Sequence, residues 1–140
     1  MLVSISIFLK GDDLDPDQVT QLLRIDPTEA YKRGDAWTSK AGKTYTRKTG
    51  VWIWGTKEDS ETASVAERIE CLSATFSGVE DILPQIPGAE FAWVDIFICH
   101  EPEEGASKDI GFSLSQDSIG KLASLGLPVE VTTGLVLADN

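Results

Sequence analysis

Four consecutive residues, Val51-Trp52-Ile53-Trp54, constrain this chain more than any other stretch. Side chains along a strand alternate between its faces, so Val51 and Ile53 point one way while Trp52 and Trp54 point the other. Gly50 and Gly55 bracket a run of β-branched and aromatic residues, which is strong strand composition. With both faces apolar, the strand belongs inside a sheet and not at its edge. β-branched side chains pack closely under helices, which assigns Val51 and Ile53 to the helix-covered face. On that assignment Trp52 and Trp54, with Tyr45 or Trp93, form an exposed aromatic patch that a second copy or another partner closes.

The neighbouring segments supply the rest of a sheet and its helices. Val3, Ile5, Ile7 and Leu9 alternate with Ser4, Ser6 and Phe8, predicting a first strand over 2–9 with one face in the core. Asp15 is a good N-cap, Pro16 suits the first helical position and Gln18 can close a capping box. The helix buries Val19, Leu22 and Leu23 and stops near Ile25, before Pro27. Asp26-Pro27-Thr28-Glu29 repeats the cap pattern and suggests one extra helical turn. Short β-prone runs at 36–39 and 44–47 flank a hairpin connection at 40–43. A second helix over 61–77 buries Val65, Ile69, Leu72 and Phe76. Then come a helical turn between Val79 and Ile86, an interior strand over 91–99, an acidic turn from His100 to Gly105 and a strand over 110–114. A third helix, capped by Ser115 and ended at Gly126, carries Ile119, Leu122 and Ala123, and a last strand begins at Pro128 and runs to Leu137. From residue 44 onward the order is ferredoxin-like, βαββαβ, preceded by an extra β-α. The fold class is therefore α+β, a mostly antiparallel mixed sheet with helices on one face.

Length and charge bound the function. At 140 residues the chain is expected to form a single domain over 1–140. A net charge of −11 argues against non-specific nucleic-acid binding and against anionic membranes, and fits a basic protein partner; a homodimer is suggested by the aromatic patch instead. The apolar run of 2–9 has no basic segment before it and is too short to span a bilayer, so a cytoplasmic protein is expected. Cys71 and Cys99 read as buried free thiols of a reducing compartment.

Leu14-Asp15-Pro16, Leu22-Leu23-Arg24-Ile25-Asp26-Pro27-Thr28, Lys32-Arg33-Gly34-Asp35, Arg47 and Gly50-Val51-Trp52 together resemble the bacterial family called domain of unknown function 4279. The resemblance covers nearly the whole chain. It implies a small bacterial α+β domain and carries over no catalytic residue.

Most chemical readings fail on spacing. Asp13-Leu14-Asp15-Pro16-Asp17 opens like a calcium loop, but the sixth and twelfth positions hold Gln18 and Arg24 where glycine and glutamate are needed. His100 is the only histidine, and its neighbours Cys99 and Glu101 cannot share its strand face to complete a zinc set. Arg33-Gly34-Asp35 reads as a turn. The glycines make no phosphate-binding fingerprint, so no metal and no cofactor is expected.

One feature survives. Seven of the twelve basic residues fall within 32–57, where Asp35 is the only acid; Trp37, Trp52, Trp54 and Tyr45 lie among them, and Tyr31 directly precedes them. Interleaved cations and aromatics suit an anionic ligand or a protein interface; the competing reading, which alternating tryptophans in a strand apolar on both faces favour, is that the aromatics are core and the cations a solvated hairpin. The candidate binding residues are Trp37, Tyr45, Arg47, Trp52 and Trp54. Two function classes follow. One is a non-catalytic binding module that meets a partner through this hairpin or through the acidic surface. The other is a sensor or enzyme for a small anionic ligand, with a cleft at Arg47 and Trp54.

Overall fold

The computed structural model describes residues 2–56, 64–100 and 111–135. Strand β1 (Leu2–Gly11) is followed by helix α1 (Pro16–Leu23), strands β2 (Glu29–Tyr31), β3 (Ala36–Thr38), β4 (Thr44–Thr46) and β5 (Gly50–Gly55), and helix α2 (Val65–Thr75). A 3-10 turn (Leu83–Gln85), strand β6 (Phe91–His100), helix α3 (Gln116–Ser124) and strand β7 (Val129–Leu135) complete the order. The fold is α+β. Five strands form one mixed sheet, ordered β2-β5-β1-β6-β7, and β3 and β4 form a separate two-stranded hairpin.

Strand β1 is antiparallel to β5 on one side and to β6 on the other, and β2 is antiparallel to β5. β7 runs parallel to β6, a pairing that needs a crossover connection, and α3 lies within it. Both strands that are apolar on two faces, β5 and β6, are interior strands. The sheet residues of the core come from one face: Val3, Ile5, Ile7 and Leu9 of β1, Trp52 of β5, and Val94, Ile96 and Ile98 of β6. Against them pack Val19 and Leu23 of α1, Ile69, Leu72 and Phe76 at α2, and Leu122 and Leu125 at α3.

Register decides the parity of β5, and it corrects the expectation. Leu9 pairs with Trp52 and Ile7 with Trp54, so the tryptophans share the core face of β1 while Val51 and Ile53 share the opposite face with Phe8. Trp52 is 0% exposed. The Phe76 ring meets both indoles edge-on, at centroid distances of 6.5 Å for Trp52 and 5.4 Å for Trp54. A flat indole fills the space between sheet and helices better than a β-branched chain and buries far more apolar area.

Local differences have equally concrete causes. The Asp15 side chain caps α1 by accepting from Asp17 N–H, as expected, but the helix ends at Leu23 with Arg24 in the left-handed region (φ 58°). The Asp26–Glu29 segment is no helical turn. Thr28 already donates its backbone N–H, and its hydroxyl, to the Ile53 carbonyl, which draws the chain alongside β5. Leu22 and Ile119 are exposed, because Val19 with Leu23 and Leu122 with Leu125 set the buried stripes. Ser64 caps α2, its hydroxyl accepting from Glu67 N–H and donating to the Glu67 carboxylate, so the helix starts at Val65. Residues 111–114 form no strand, and the ferredoxin-like order is not confirmed. Cys71 is exposed on the outer side of α2 and Cys99 is half-buried, so neither thiol lies in the core. The acidic turn beyond His100, that histidine's side chain, Ile110 and the end of the last strand lie outside the described residues.

Candidate functional site

The hairpin β3–β4 grows from the end of β2 at the sheet edge. Asp35 folds the chain back: its carboxylate accepts from Lys32 N–H at 2.8 Å and its own N–H donates to the Lys32 carbonyl. Gly34 takes a φ of 97° in that turn, a conformation that costs glycine little. Reciprocal bonds, Gly34 N–H to the Arg47 carbonyl and Arg47 N–H to the Asp35 carbonyl, then close the base of the hairpin. At its tip the hydroxyl and the carbonyl of Ser39 accept from Lys43 N–H and Gly42 N–H, and Gly42 sits at φ 83°.

This backbone produces a column of side chains. Trp37 and Tyr45 face one another across the hairpin, with ring centroids 4.8 Å apart and planes 22° from parallel. The Arg47 guanidinium carbon lies 4.7 Å from the Trp37 centroid and 3.8 Å from that of Tyr31. Lys43 Nζ, 5.4 Å from the Tyr45 centroid, ends the column. Trp37 is 38% exposed and Tyr45 40%, well above what packed core rings show. Three sequence-designated residues, Trp37, Tyr45 and Arg47, are therefore brought together. Trp52 and Trp54 are not: they lie in and against the core, on the helix side of the sheet. Tyr31, whose ring lies against Arg47, was legible only as the residue before the basic window; the turn at 32–35 creates the contact.

Among the described residues no carboxylate pairs with Arg47; the ion pairs there join Arg33 to Asp13, and Lys121 to Glu70 and Asp117. Two aromatic rings, Tyr31 and Trp37, have their centroids 3.8 Å and 4.7 Å from the guanidinium carbon, and a guanidinium stacked on rings keeps its N–H edge for other partners. That edge is a rigid fork matched to a carboxylate or phosphate. A cleft of about 320 Å³ adjoins the hairpin, lined by Asp15, Pro16, Asp17, Ala30, Tyr31, Lys32 and Asp35. Its three carboxylates make it a poor seat for an anion. A second cavity, about 160 Å³, lies at the far end of β1 and β6 between Leu2, Phe97, Cys99 and the buried Arg68. Among the described residues no three His, Cys, Asp or Glu side chains cluster to hold a metal, and no helix is long and apolar enough to cross a membrane.

Fold and site together define an α+β domain with one helix-covered sheet face, a second face that none of the described helices covers, and a cationic aromatic hairpin at the edge. The chain matches the family described as Domain of unknown function (DUF4279) over residues 2–135, and it belongs to that family. Comparison with curated proteins and with solved structures gives no match.

Proposed function

We propose that this chain is a non-catalytic binding module that receives an acidic group of a protein partner at hairpin β3–β4, with Arg47 as the anchor. The observation that supports this is the guanidinium against the Tyr31 and Trp37 rings, with no carboxylate pairing it among the described residues. Forming the column in the free protein means that little side-chain freedom is lost on binding. A guanidinium offers charge and hydrogen-bond donors and is no proton-transfer group, which favours binding over acid–base chemistry. The strongly acidic remainder of the chain confines attraction for an anion to the hairpin and disfavours a long polyanion such as nucleic acid. A small anionic ligand in the neighbouring cleft is the second reading; the cleft shares Tyr31 and Lys32 with the hairpin region, but Asp15, Asp17 and Asp35 oppose it.

The test is a titration at low salt with a glutamate-rich peptide, followed through the Trp37 indole N–H resonance. The peptide is expected to shift that resonance ahead of the Trp52 resonance. Arg47→Ala should abolish the response, and Arg47→Lys should weaken it because an ammonium lacks the planar fork. An equal response in wild type and Arg47→Ala, or none in wild type, overturns the reading. A response to inorganic phosphate but not to the peptide favours the small-ligand alternative.

A further inference from the structure

The sheet face opposite the core is covered by none of the described helices, and its side chains form ordered rows across the strands. The middle row is apolar: Ile53, Phe8 and Trp93 stand side by side by register, and the Phe8 and Trp93 rings stack with centroids 5.0 Å apart and planes 9° from parallel. One row to one side lie Val51, which is buried, Lys10 and Phe91, which is 60% exposed. One row to the other side lie Ser6, Asp95 and Glu130, again in register. Rows on one face are two residues apart, roughly 7 Å. The lysine and the carboxylates therefore flank the aromatic row at equal distances and on opposite sides.

That layout is self-complementary. A two-fold axis along the middle row, between two such faces, lays each aromatic row on its copy and exchanges the outer rows. Lys10 of one copy then stands over Ser6 of the other, next to that copy's Asp95 and within reach of its long flexible stem. Phe91 of one copy covers Asp95 of the other. An isologous contact needs only this one patch, since each residue pair occurs twice. A basic partner would find the carboxylates but meet Lys10 with like charge. The chain's net charge of −11 opposes association at long range, but at physiological ionic strength charges outside the contact are screened over about 8 Å.

We propose that the open sheet face is the interface of a face-to-face homodimer in which the Ile53–Phe8–Trp93 rows lie against one another and Lys10 of each copy pairs with Asp95 of the other. Phe91, exposed in the isolated chain, is buried in this dimer. The interface does not involve the hairpin column, so it stands or falls independently of the role assigned to Arg47.

Sedimentation velocity of the full chain over a concentration series tests it. Wild type is expected to dimerise, Lys10→Glu to raise the dissociation constant by about tenfold or more, and Asp95→Lys to do the same. The double variant Lys10→Glu/Asp95→Lys, with the charges exchanged, should regain much of the lost affinity. Trp93→Ala adds no charge to the sheet and so covers the case in which Asp95→Lys does not fold; it too should be monomeric at wild-type dimer concentrations. Wild type that stays monomeric with the face covered by its own chain, or folded Lys10→Glu and Trp93→Ala variants that dimerise as wild type does, overturns the proposal. Folded single charge variants that weaken association without rescue in the double variant overturn the Lys10–Asp95 pairing.

Discussion

Trp52, the largest buried side chain of the sheet, donates its indole N–H to the Thr20 hydroxyl at 3.1 Å and so ties β5 to α1. A buried indole needs such a partner, and a helix surface supplies it without opening the core. The short α1 gains a polar anchor beside the apolar ones at Val19 and Leu23.

Truncating this pair separates its two contributions. Trp52→Ala should lower unfolding free energy by about 3–5 kcal/mol, the range for deleting a buried aromatic. Thr20→Val keeps the volume but leaves the indole N–H without its acceptor, at about 1–3 kcal/mol. Urea denaturation of both variants checks the order. A Trp52→Ala protein as stable as wild type would return the indole to the exposed patch expected from composition.

How much of this was legible before the structure depends on whether the signal was local. The Asp15-Pro16 cap, the alternation of Val3 to Leu9 and the interior position of the Val51–Trp54 strand rest on neighbouring residues, and each emerged where expected. The parity of that strand was not local. Both of its faces are apolar, and only the pairing of Leu9 with Trp52, forty-three residues apart, decides which face meets the helices. The hairpin column is intermediate: its cations and rings are visible as a cluster in sequence, but the Tyr31–Arg47 contact depends on the turn that Asp35 closes. Leu22 and Ile119 followed the helical period yet stayed exposed, because period alone does not show where a stripe's edge falls.

Gly11 sits where backbone meets backbone. A β-carbon there would lie 1.9 Å from the Gly88 carbonyl oxygen, and no flexible side chain can yield to make room. Gly11→Ala should therefore cost at least about 1–3 kcal/mol, in the manner of overpacking, by forcing the end of β1 away from the segment before β6. Thermal melts check this. Gly120→Ala, where nothing lies within 4 Å, should leave stability unchanged or slightly raise it, since alanine favours the helix.

The cysteines differ in access, and both are unpaired. In the native protein Cys71, exposed on α2, should react with a thiol reagent first and half-buried Cys99 more slowly. Denaturation without reductant should reveal two thiols in all. Rapid equal labelling in the native state would contradict the placement of Cys99 in the sheet, and loss of both thiols would contradict their unpaired state.

Asp95 carries the clearest pH signature. Burial on the open face raises its carboxyl above the ordinary aspartate value, and the Thr132 hydroxyl, donating at 3.2 Å, offsets this only in part. Glu130 is its register partner on β7 and Ser6 its partner on β1. Because the folded state favours the protonated acid, Asp95 contributes most to stability below its unfolded pKa of about 3.9, and that contribution is lost as pH rises through the higher folded value. Asp95→Asn keeps an acceptor for Thr132 and does not titrate. At protein concentrations low enough for a monomer, the variant should be more stable than wild type at neutral pH, with the gap closing as pH falls below the folded pKa. Denaturation at a series of pH values measures the gap directly, and a gap that widens toward acid would mean that the folded chain holds Asp95 in its charged form.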